Sequence, residues 1–178
     1  RKDGSTFPVW LMSELVKNAE GEPYAIVTCC EDITDRKQME VALRESEEQY
    51  RTLFESLQDI FFRIDTEGNV ILASPSIVQL LGYDQDEARN LNMEKDIFAD
   101  LDQWKKFSKI METDGRLKHF EVRLKRWDGS VVWVSATSQW YTDMEGRILG
   151  IEGMFRDINE RKQMEEELQK YRDTLKSS

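Results

Sequence analysis

The chain has 178 residues, enough for one domain of ordinary size plus part of another. Its 35 Asp+Glu outnumber its 25 Lys+Arg for a net charge of −10, and no block of basic residues occurs, which excludes a nucleic-acid footprint and an anionic-membrane surface as the basis of function. Adjacent Cys29 and Cys30 make a poor mutual disulfide and leave no spaced framework, so a reducing cytoplasmic setting is expected, and no apolar run approaches the roughly 18 residues of a membrane span.

In chain order, Phe7 to Val27 reads as two strands around the turn at Glu20-Gly21, with Phe7, Val9, Leu11, Ala25 and Val27 expected to share an apolar face. An offset of 125 residues brings Arg1-Lys2-Asp3-Gly4-Ser5 over Arg126-Trp127-Asp128-Gly129-Ser130 without a gap. It also brings Asp32-Ile33 over Asp157-Ile158 and Arg36-Lys37-Gln38-Met39-Glu40 over Arg161-Lys162-Gln163-Met164-Glu165. That period has the size of a whole domain rather than of a solenoid repeat. Residues 1–35 are therefore the C-terminal end of one copy, and the chain, opening on Arg1 without Met, is expected to be cut from a tandem array. A connector helix follows over 36–57, a complete core over 58–160 with its entry helix from about 47, and an exit connector over 161–178.

The connectors carry apolar residues at alternating spacings of three and four: Met39, Leu43, Ser46, Tyr50, Leu53 and Leu57 in one, and Arg161, Met164, Leu168, Tyr171 and Leu175 in the other. Two readings stand: a surface helix packed on its own domain, or a short parallel coiled coil in a homodimer. Between them the period changes to two. Ile60, Phe62 and Ile64 alternate up to the turn Asp65-Thr66-Glu67-Gly68-Asn69, and the chain resumes from Val70 to Ala73. Residues 76–112 have helical spacing in Ile77, Leu80, Leu81 and in Trp104, Phe107, Ile110, Met111. Phe120, Val122 and Leu124 then open a meander that continues through Val131 to Tyr141 and Ile148 to Phe155. The order β-β-α-α-α-β-β-β predicts an α+β fold with five antiparallel strands and helices on one face.

These residues resemble a PAS domain over 47–160, and the C-terminal part of a preceding one over 1–35. The resemblance rests on Ala73-Ser74-Pro75-Ser76 before Leu81-Gly82-Tyr83, on Arg126-Trp127-Asp128-Gly129-Ser130, and on Gly153-Met154-Phe155-Arg156-Asp157-Ile158 running into Asn159-Glu160-Arg161-Lys162. It implies a sensory or dimerisation module, in a signalling protein whose output domain is most often a histidine kinase or a diguanylate cyclase. Haem-binding relatives take their iron through a histidine on the helix before the third strand, where 104–111 has none. Flavin-binding relatives use a cysteine in the region that here reads Ala88-Arg89-Asn90-Leu91-Asn92-Met93. No cofactor is expected.

The one histidine, His119, is out of phase with inward Phe120, Val122 and Leu124 and reads as a solvated strand residue. With no partner for nucleophilic catalysis and no phosphate loop, an enzymatic activity in this segment is not expected. A pocket facing the helices is drawn by strand phase from Phe62, Ile64, Ala73, Phe120, Val122, Leu124, Val132, Val134, Ala136, Ser138, Ile151 and Phe155. The small members Ala73, Ala136 and Ser138 are expected side by side. Either this is a filled core, or it takes a small apolar ligand. Asp157 and Arg161 are expected to join sheet to exit helix and relay a signal. Trp133, on the opposite phase, needs cover, expected from Tyr50, Leu53, Phe54 and Leu57 of the entry helix of its own or a partner chain, and these five residues are the expected dimer interface. The rival reading is a ligand-free scaffold that only holds subunits together.

Overall fold

The computed structural model describes residues 2–176, and the side chains of 2–175; Arg1 and the last two residues of the expected exit connector lie outside the described residues. The chain divides into two units after Thr52.

In the first unit, β1 (Val9–Lys17) and β2 (Pro23–Asp32) form an antiparallel hairpin closed at Asn18, whose side chain accepts a hydrogen bond from the Glu22 N–H at 2.8 Å. The register pairs Leu11 with Cys30 and Leu15 with Ile26, but Glu14 with Val27 and Val16 with Ala25. Because directly paired residues share a face, Val9 and Leu11 lie on one side and Ala25 and Val27 on the other. The single apolar face expected from the sequence is thus split, with Trp10, Met12 and Val16 completing the second half. Cys29 and Cys30 are free thiols on opposite faces. Asp32 accepts hydrogen bonds from the N–H (2.9 Å) and hydroxyl (2.5 Å) of Thr34, which starts α1 (Thr34–Glu55). The helix ends in a tight turn in which the Leu57 N–H reaches the Phe54 carbonyl, so Leu57 lies beyond the helix that its spacing predicted.

In the second unit, alternation does what period two predicts. Ile60, Phe62 and Ile64 of β3 (Ile60–Asp65) are buried while Phe61 and Arg63 are half-buried on the other side. With β4 (Val70–Ala73), β5 (Arg116–Lys125), β6 (Val131–Thr142) and β7 (Ile148–Asp157), β3 builds an antiparallel sheet in the order β4-β3-β7-β6-β5. One face is covered by α2 (Ser76–Leu81), α3 (Gln85–Ala88), a single π-helical turn (Met93–Ile97) and α4 (Leu101–Asp114). That turn was not legible in the sequence; its first N–H groups are capped by the Asn92 side chain, which spacing does not report. Phe107 and Met111, both fully buried, drive α4 onto the sheet. The β4-to-α2 corner is fastened by a buried chain of hydroxyls. Ser74 accepts from the Phe61 N–H at 2.8 Å and meets Ser76 at 2.6 Å, and Ser76 donates to the Asp59 carbonyl at 2.9 Å. The exit helix α5 (Asn159–Lys176) leaves from β7.

Candidate functional site

Two regions concentrate the residues that could carry function: the sheet face under the helices, and the outer face where α5 begins.

Under the helices, Phe62, Ile64, Ala73, Val122, Leu124, Val132, Val134, Ala136, Ser138, Ile151 and Phe155 are buried and Phe120 is half-buried. Strand pairing sorts them into rungs. Ala73 pairs with Phe62, Phe62 with Gly153, Gly153 with Ser138, and Ser138 with Leu117. Ala73 is thus separated from Ser138 by two whole strands. Ala136 and Ser138 adjoin on one face of β6, but Ala73 does not join them as the sequence suggested, because β7, last in the chain, inserts between β3 and β6. The small neighbour of Ser138 is Gly153, which phase counting of larger side chains passed over. The space above Gly153 is occupied: a Cβ there would meet Ser138 Oγ at 2.3 Å and Phe62 Cζ at 3.0 Å. Phe62 stacks on Phe155 with centroids 4.3 Å apart and planes inclined by 18°. The Ser138 hydroxyl, buried in this wall, has no hydrogen-bond partner among the described residues. The corresponding rung of the first unit differs. There Ser13 faces Thr28, and their hydroxyls meet at 2.9 Å.

At the end of β7, Asp157 accepts from the Asn159 N–H at 2.8 Å and turns the chain into α5. The Ile158 N–H donates to the Trp133 carbonyl (3.1 Å) and the Trp133 N–H donates to Asn159 Oδ1 (3.0 Å), which pins the start of the helix to β6. One turn on, Arg161 and Lys162 each approach Glu121 of β5 to 2.5 Å, and both also pair with Glu165. Arg161 thus bonds to the sheet through Glu121, and Asp157 acts locally on the helix start. No periodicity singles out Glu121, since its partners lie 40 residues away in sequence. Within its own unit Trp133 is flanked by Lys162 Nζ at 5.1 Å and Arg123 Cζ at 5.7 Å from its ring centroid. Phe54 packs edge-on against Phe61 at 6.1 Å, whereas Tyr50 and Leu53 are exposed. Two depressions, of about 370 and 240 Å³, share Thr137 and Met154 on the outer face; Phe61, Arg116 and Lys118 line the first, and His119, Asp59 and Arg156 the second. His119 is exposed, in a left-handed conformation (φ 55°) at the irregularity between Leu117 and Phe120. Among the described residues no group of His, Cys, Asp and Glu could hold a metal ion, and no helix is long and apolar enough to cross a membrane.

Hydrogen bonds from Arg161 and then Lys162 hold the Glu121 carboxyl below the usual glutamate range. A carboxyl depressed in the folded protein stabilises the docked helix fully above its unfolded value, about 4.3, and loses that contribution as pH falls through the folded value. The Trp133 indole resonance should therefore titrate at a pH below the usual glutamate range, and the transition should vanish in Glu121→Gln. A titration identical in both proteins would remove Glu121 as its source.

The family described as the PAS fold matches residues 48–158, and a PAS domain family matches residues 1–35. The PAS domain of an HTR-like protein from Haloarcula marismortui is 25% identical with a TM-score of 0.58, covering 68% of this chain and 99% of its own. A domain of the sensory box sensor histidine kinase/response regulator from Geobacter sulfurreducens is 26% identical with a TM-score of 0.51, covering 65% and 96%. A PAS domain from Colwellia psychrerythraea, 21% identical with a TM-score of 0.57 over 64% and 97%, shares the fold. No curated protein matches the sequence.

Proposed function

The chain belongs to the PAS family, as a sensory domain similar to those of histidine kinases, and from that premise we propose that it works as a homodimeric relay, passing a signal through its connector helices to an output domain outside this segment. The observation that carries the reading is the match between connectors. Met39, Leu43, Tyr50 and Leu53 are 62–71% exposed along α1, and Met164, Leu168, Tyr171 and Leu175 are 53–66% exposed along α5. The first two residues of each stripe lie 125 positions apart in the two copies, so copies of the array present the same apolar seam. A second chain supplies a matching stripe in parallel register.

The output domain is a histidine kinase or a diguanylate cyclase, the segment itself is non-catalytic, and the setting is cytoplasmic. The net charge of −10 supports a protein partner over nucleic acid or a membrane surface. If the core takes a ligand, its apolar lining selects a small apolar compound. The rival, a ligand-free scaffold, is favoured by the Phe62–Phe155 stack that fills the wall.

Leu53→Glu combined with Leu168→Glu places charge in both seams and should convert a particle of twice the chain mass into one of a single chain mass by light scattering. A dimer that survives both substitutions sinks the seam. Native mass spectrometry of the same preparation distinguishes the liganded relay from the empty scaffold.

A further inference from the structure

On the reading of the chain as a relay, we propose that the signal reaches the exit helix across the edge strand β5, with Arg123 and Glu121 as positioning residues, rather than along β7, from which the helix continues. The sheet order separates β7 from β5 by β6, yet the first turn of α5 spans that distance to bind Glu121. Its start is pinned to the Trp133 backbone by two hydrogen bonds, one from the Ile158 N–H and one to the Asn159 side chain, and its charged turn is held one strand further out. A helix fixed at one point and latched at a second has its direction set by the second. Glu121 is that second point.

The other side of β5 belongs to the helical layer. Beyond the bridge between Phe98 and Leu124, the Ala99 N–H donates to the Arg123 carbonyl at 2.9 Å, and the Arg123 N–H donates to Gln103 Oε1 at 3.0 Å. The Arg123 guanidinium lies 3.6 Å from Asp100, the residue that caps α4, and also covers the Trp133 ring. The N-terminus of α4 therefore holds both backbone groups and the side chain of Arg123. Two residues away on the same face, Glu121 holds α5. A displacement of α4 must move the strand that carries the latch. This is a continuous chain of contacts between two elements that do not share a strand, the minimum that energetic coupling through packed structure requires.

Hydrogen exchange of the full chain, read by mass spectrometry over 159–170, tests the route. Glu121→Gln should speed exchange of this segment about fivefold, the effect of a surface ion-pair network at the upper end of its range, with the β6 and β7 segments unchanged. Arg123→Gln, which removes no contact to α5, should do the same. In the Glu121→Gln background it should add nothing, because the latch through which it acts is already open. Charge exchange, Glu121→Lys with Arg161→Glu and Lys162→Glu, should restore slow exchange. An Arg123→Gln variant with unaltered exchange over 159–170, or an effect simply additive to Glu121→Gln, overturns the route. Repeating the set in the Leu53→Glu, Leu168→Glu background separates the two ideas: the coupling persists there if only the dimer is wrong, and is missing there and in the unaltered background if the route is wrong.

Discussion

Gly150→Ala is expected to be the most damaging single methyl group that can be added to this protein. Gly150 lies between Asp65 of β3 and Tyr141 of β6, in the middle of the sheet. A Cβ at Gly150 would stand 1.9 Å from the Ile64 carbonyl oxygen and 2.9 Å from its carbon, both backbone atoms of a neighbouring strand. No rotamer relieves that overlap; β3 has to separate from β7. Overpacking of a core already costs about 1–3 kcal/mol, and breaking strand pairing adds to it, against a total stability of about 5–15 kcal/mol for a domain. A urea titration followed by far-ultraviolet circular dichroism should show the midpoint collapse. Gly146→Ala is the control. Its Cβ meets nothing within 4 Å, and its φ of +81° alone predicts a loss of about 1 kcal/mol. Equal midpoints for the two variants would mean that the close approach of β3 to Gly150 is wrong.

Phe62→Ala is expected to cost about 3–5 kcal/mol, since the ring is fully enclosed and stacked on Phe155. Its larger interest is the space it opens, walled by Phe155, Ala73, Gly153 and the unpartnered Ser138 hydroxyl. An apolar cavity of this kind stays dry and accepts small aromatic molecules. Millimolar toluene should raise the melting temperature of Phe62→Ala and leave the unaltered protein unmoved if its core is filled. A comparable rise in the unaltered protein would instead establish a natural site for a small apolar ligand and dismiss the scaffold reading. A variant that binds no toluene despite the lost ring would show that the wall had collapsed inward, and that Phe62 does not by itself hold the space.

Strand phase, helical stripes and the domain-sized repeat were all legible in the sequence, because each is local. Alternation at Phe62 and Ile64, or at Val132, Val134 and Ala136, follows from the pleat and needs no knowledge of the neighbouring strand. The heptad spacing of Met164, Leu168 and Tyr171 follows in the same way from the turn of a helix. The repeat was legible because tandem copies keep residues such as Asp32 and Asp157, which start α1 and α5 alike.

Only the tertiary structure decided which strands are neighbours and in what register. Ala73 was expected beside Ser138 and stands two strands away, since β7 enters the centre of the sheet last. Ala25 and Val27 fell on the far face of their hairpin because the register, rather than the spacing within one strand, matches faces. Trp133 found its flanking cations in Lys162 and Arg123, and Arg161 its carboxylate in Glu121, through contacts between segments remote in the chain. Periodicity records which way a side chain points relative to its own backbone. What it points at is set by strand order and register, which depend on the free energy of the whole packed sheet.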